Sequence, residues 1–159
     1  MTVLLMLGLF HLSTGEAAAG IKQNKVKPIG LLDIKRMINK GDCPLFIVAM
    51  AAWCAPCRDE LPMMQKLHEK YAGKGLKIVG VSLDMGGPAM IQPLVDQMRL
   101  TFPVYWGGEK VVREYKISGI PLLLIAREGE IVEKILGSRP ENVLEEKIQS
   151  LFDQCGKKN

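Results

Sequence analysis

The chain of 159 residues holds four cysteines, and two of them stand together in the run Trp53-Cys54-Ala55-Pro56-Cys57. Thiols at this C-x-x-C spacing support one of two chemistries, dithiol–disulfide exchange or half of a tetrahedral zinc site. The metal reading needs two more ligands from Cys43, Cys155 or His68, and none of these forms a second close pair. The redox reading needs a thiolate, which is the nucleophile, and a setting that makes one available near neutral pH.

The flanking sequence supplies that setting. Residues 45–50 are wholly apolar and read as a strand buried on both faces, while Leu61, Met64, Leu67 and Tyr71 recur at helical spacing after Cys57. A strand therefore delivers Cys54 to the mouth of a helix. Unpaired N–H groups and the helix macrodipole there favour a thiolate by about 0.3–1 kcal/mol. Pro56 falls in the first turn, where its fixed φ fits and its missing N–H costs nothing. Cys57, a turn inside, is within bridging reach and better shielded, so Cys54 is assigned the attack and Cys57 the resolution.

The remaining elements follow from periodicity. Leu31, Ile34, Met37 and Ile38 mark a short helix, and residues 76–83 a second buried strand, which makes strand–helix–strand and hence a parallel sheet. Met90, Ile91, Leu94, Val95 and Met98 line a helical face containing Pro93, residues 102–106 read as a short strand, and Val111, Val112 and Tyr115 as a brief helix. Residues 122–126 and 131–136 flank a glycine-bearing turn at 127–130, which reads as a hairpin. Ser138 and Glu141 have capping-box spacing ahead of a last helix whose inner face is Leu144, Ile148, Leu151 and Phe152. An apolar fraction of 48% suits one domain, and the net charge of +4 with interspersed signs lacks the basic footprint of a nucleic-acid binder.

The motif W-C-x-P-C, Pro62, and Ser118-Gly119-Ile120-Pro121 before a strand resemble the thioredoxin family across residues 30–153. Cys57-Arg58-Asp59-Glu60-Leu61-Pro62 looks most like the TlpA/ResA-type periplasmic branch, with its C-x-x-C-x-x-E-x-P pattern. The helix ahead of the active-site strand looks more like thioredoxin itself. The resemblance implies an α/β thioredoxin fold: a central mixed β-sheet flanked by helices on both faces, with an αβ insertion before the cis-Pro strand. It also implies a cis Ile120–Pro121 bond against the cysteines, with the Ile120 backbone pairing to an extended substrate. Trp53, Ala55, Pro56, Ile120 and Gly137 would make a small apolar platform around Cys54. Thioredoxin's buried aspartate is replaced here by Val48, so the resemblance passes proton handling to Glu60. His68, three turns along the helix, is read as a surface residue.

These features predict a thiol-disulfide oxidoreductase that reduces a disulfide-containing exported protein. Apocytochrome c is the client, and a membrane electron donor the source, that the resemblance implies. No metal or organic cofactor is needed, no nucleic acid is involved, and the protein is expected to be a monomer. The alternatives are a thioredoxin-fold peptide-binding module, a general disulfide oxidase or isomerase, and a peroxide reductase; the last lacks any P-x-x-x-T-x-x-C stretch. Residues 1–19 have the apolar core and small-residue cleavage site of a secretory signal without a basic start, which implies an extracytoplasmic site, or a cytoplasmic one if that reading fails. Residues 20–29 read as a linker with room for a short edge strand, 30–155 as the domain and 156–159 as a polar tail. A second disulfide between Cys43 and Cys155 is topologically possible, since both fall at the pole opposite Cys54.

Overall fold

The computed structural model describes residues 24–40 and 43–155, with the side chains of residues 154 and 155 left aside. The expected signal and polar tail therefore lie outside the described residues. In chain order the elements are β1 (Lys27–Pro28), α1 (Leu31–Asn39), β2 (Leu45–Met50), α2 (Ala55–Tyr71), β3 (Lys77–Ser82), α3 (Pro88–Gln97), β4 (Val104–Trp106), α4 (Gly108–Glu114), β5 (Leu122–Arg127), β6 (Glu130–Leu136) and α5 (Glu141–Cys155).

One mixed sheet runs in the order β1-β4-β3-β2-β5-β6. The first four strands are parallel, and β5 and β6 continue antiparallel. Every residue of β2 is buried. Because successive side chains point to opposite faces, its apolar run feeds two cores. Phe46, Val48 and Met50 join Leu61, Met64, Leu67, Ile91, Leu144 and Ile148 beneath α2, α3 and α5. Leu45, Ile47 and Ala49 join Ile34, Ile38 and Val111 beneath α1 and α4. This is the thioredoxin architecture, with α3 and β4 as the expected αβ insertion.

Four local expectations are corrected. The last helix starts at Glu141, so Ser138 does not cap it, and the Glu141 carboxylate instead meets Lys66 of α2 at 2.7 Å. Met90 is 53% exposed and leaves the inner face of α3 to Ile91, Leu94 and Val95. The described end of the expected linker is docked: Asn24 donates to the carbonyls of Leu100 and Phe102, and Gln92 binds the backbone of Asn24 and Val26. The hairpin is tighter than four turn residues. Glu128 (φ 55°) and Gly129 (φ 89°) make a two-residue connection whose left-handed geometry matches strand twist.

Candidate active site

Cys54 is the N-cap of α2, with Ala55 and Pro56 opening the helix. A disulfide joins Cys54 to Cys57, and the Cys57 N–H points at Cys54 Sγ from 3.2 Å. This is the unpaired first-turn donor that the sequence argument required, aimed at the sulfur. In the disulfide form the two cysteines are similarly buried, at 4% and 2% exposed. Their difference therefore lies in helix position more than in shielding.

Glu60 follows one turn later and is 7% exposed. Burial pushes its carboxyl up; a hydrogen bond from the Arg139 backbone and the Arg139 guanidinium pull it back. Arg139 Nη1 also donates to the carbonyls of Gly137 and Ser138. Sequence reasoning did not single out Arg139, since nothing in an exposed loop arginine marks it as the neighbour of a buried acid on another element.

The Ile120–Pro121 bond is cis. Pro121 immediately precedes β5, and the register Ala49↔Leu122 brings it to the end of β2, beside the turn that carries Cys54. Gly137, with φ 78°, donates its N–H to the Pro121 carbonyl at 2.8 Å. Ile120 is half-buried and packs against both cores. Ala55 and Pro56 lie exposed at the helix start. Trp53, directly before Cys54, is 69% exposed.

One residue sits differently from expectation. His68 is half-buried, edge-on to Phe102 at a centroid distance of 5.9 Å, with Nδ1 sealed and unpartnered among the described residues. Burial lowers its pKa. Cys43 is a free, half-buried thiol packed on Gly75. Asp84, which sequence reasoning did not single out, is a buried carboxylate at 1% exposure that accepts the Ala52 N–H beside the dithiol turn. A lone acid directly after a buried parallel strand was the available signal. A cleft of about 550 Å3 opens next to it between Pro28, Leu31, Met85, Trp106 and Lys110. No group of three or more His, Cys, Asp or Glu among the described residues is arranged to hold a metal.

A dithiol at a helix start, a cis-proline beside it and a four-plus-two mixed sheet define a thioredoxin-fold thiol-disulfide oxidoreductase. Residues 15–134 match the AhpC/TSA family, and the chain belongs to that family. It is 33% identical over 122 residues to the thiol-disulfide oxidoreductase ResA of Bacillus cereus, covering 76% of this chain and 68% of the relative. It thus spans about two thirds of the length of the curated relatives it matches. Among solved structures, StoA from Bacillus subtilis superposes with a TM-score of 0.61 at 26% identity, covering 69% of this chain and 84% of StoA. A Chlorobium tepidum structure described as a thiol:disulfide interchange protein of the DsbE kind superposes with a TM-score of 0.66 at 26% identity, covering 76% and 84%.

Proposed function

We propose that the protein is an extracytoplasmic disulfide reductase. The observation that carries this reading is the buried Glu60 one turn beyond a dithiol whose first sulfur caps the helix. The Cys54 thiolate attacks a client disulfide, forming a mixed disulfide and releasing one client thiolate. Glu60 accepts the Cys57 proton; the Cys57 thiolate then attacks Cys54 Sγ, closing the Cys54–Cys57 disulfide, and the second client sulfur leaves as a thiolate that takes the proton back from Glu60. The client gains two electrons, and a membrane donor returns two electrons and two protons to the protein. The Ile120 backbone pairs with the client segment beside Pro121, while Trp53, Ala55, Pro56 and Gly137 bound its approach. The client is an exported disulfide protein. Apocytochrome c is the candidate favoured by the TlpA/ResA resemblance, and the protein acts as a monomer exported by residues 1–19.

The direction follows from moderate thiolate stabilisation. Ala55-Pro56 brings no positive donor to Cys54, and a negative charge on Glu60 opposes a second one on the thiolate. Strong oxidants of this fold stabilise their thiolate far more. Equilibration with a glutathione buffer tests the reading. We expect a potential nearer thioredoxin's roughly −270 mV than the roughly −120 mV of DsbA, and a value above about −180 mV would make the protein an oxidant or isomerase.

A further inference from the structure

We propose that Asp84 is a positioning residue of the dithiol site: through one clamped peptide plane its carboxylate holds the turn that presents Cys54 and tunes how readily that thiol ionises. Asp84 follows β3 and is 1% exposed. Both carboxylate oxygens lie 3.1 Å from the Ala52 nitrogen, and Oδ2 accepts the Ser82 hydroxyl at 2.8 Å. The Asp84 N–H donates to Ser82 Oγ at 3.2 Å, and its carbonyl accepts the Trp106 indole N–H at 2.6 Å. The residue is therefore fixed from β3 and β4, and its carboxylate is held against the turn before α2.

The Ala52 N–H that it accepts belongs to the same peptide plane as the Ala51 carbonyl, and that carbonyl accepts the Cys54 N–H at 3.1 Å. Carboxylate, peptide and Cys54 amide form one chain. Such chains polarise along their length: a carboxylate pulling on the Ala52 N–H makes the Ala51 oxygen a stronger acceptor and tightens its hold on the Cys54 backbone. Two consequences follow. The extended Cys54 backbone (φ −82°, ψ 101°), which aims Sγ at the Cys57 N–H, is locked from the sheet side. A negative charge also stands behind the thiol, disfavouring a second negative charge there.

Other charged groups near the pair are Arg58, Asp59 and Glu60 on α2 and Arg139 after β6, while Glu109, Lys110 and Arg113 of α4 line the cleft that Asp84 borders. Asp84 differs from these in that its charged group reaches the Cys54 backbone through an unbroken chain of hydrogen bonds. A loop anchor without this electrostatic part would be satisfied by an asparagine of the same shape.

The inference rests on Cys54 being the attacking thiol, and the experiment separates the two claims. Reduced wild-type protein and Asp84→Asn are alkylated across a pH series, the labelled cysteine is located by mass spectrometry, and both are equilibrated with glutathione. We expect labelling on Cys54, with the midpoint about half to one pH unit lower in Asp84→Asn. The dithiol–disulfide constant should shift about three- to tenfold toward the dithiol, or about 15–30 mV for a two-electron couple. Labelling on Cys54 with midpoint and constant unchanged overturns the role of Asp84, whereas first labelling on Cys57 overturns the assignment beneath it. If Asp84→Asn fails to fold, Ser82→Ala decides. It leaves the carboxylate with one donor fewer and more of its charge on Ala52, so its midpoint should move up; a downward shift or none overturns the proposal.

Discussion

Glu60→Gln is the perturbation that most directly tests a buried acid as the proton carrier. The side chain is 7% exposed, and burial raises its pKa against the opposing pull of Arg139. The native protein therefore holds this proton more tightly than the unfolded chain. The stability Glu60 contributes is fully present below the ordinary value of 4.5 and is lost as pH rises through the higher native value. Glutamine keeps an oxygen for the Arg139 N–H but carries no charge to desolvate. In denaturant titrations of the oxidised protein, the variant should match wild type near pH 4. Near pH 8 it should exceed wild type by about 1.4 kcal/mol for each pKa unit by which burial outweighs Arg139. The same change should slow disulfide reduction about a hundredfold or more, from the low end of what a positioned acid–base group provides upward, and remove an inflection from its pH profile. An equal stability difference at both pH values would refute the desolvation argument. An unchanged pH profile of exchange would remove Glu60 from the mechanism.

Cys57→Ser should stall the reaction as a Cys54 mixed disulfide, visible as a reductant-sensitive adduct; rapid release of reduced client would overturn the assigned roles. Gly80→Ala in β3 should cost about 1–3 kcal/mol in a melting or denaturant series, because its new Cβ meets Met50 Cε at 2.7 Å and Val104 Cγ2 at 3.1 Å, and the branched valine cannot yield as the methionine end can. His68 is lowered by burial, so its contribution to stability is lost as pH falls through 6.5 toward the native value; His68→Leu should flatten this part of the stability–pH curve measured between pH 7.5 and 5.

Much of the site was legible because it is local. The strand into Cys54, the helix out of it and the one-turn spacing to Glu60 are all short-range consequences of periodicity and N-terminal helix chemistry. The wholly buried strand was legible for the same reason, since an apolar run with no polar face has to be covered twice. What failed depends on distant partners. Ser138 and Glu141 have the spacing of a capping box, but Glu141 is drawn to Lys66, which no local pattern announces. His68 lies on a polar-looking stretch of α2, yet Phe102 arrives from beyond the next helix to cover it. Asp84 and Arg139 act on residues 32 and 79 positions away in sequence, Ala52 and Glu60, so their roles exist only in the folded chain.

The docked segment ahead of β1 has a practical consequence for how the molecule can be held. β1 lies parallel to β2 through β4 and β3, so the chain enters the sheet at the end opposite the one where β2 releases Cys54. Helix α5 starts at the Cys54 end, after β6, and runs back toward the same entry end. Both attachment points thus lie behind the reactive face. A membrane tether, surface linker or fusion partner joined at either end would leave the dithiol facing outward, free to sweep for clients over whatever radius the connecting chain allows.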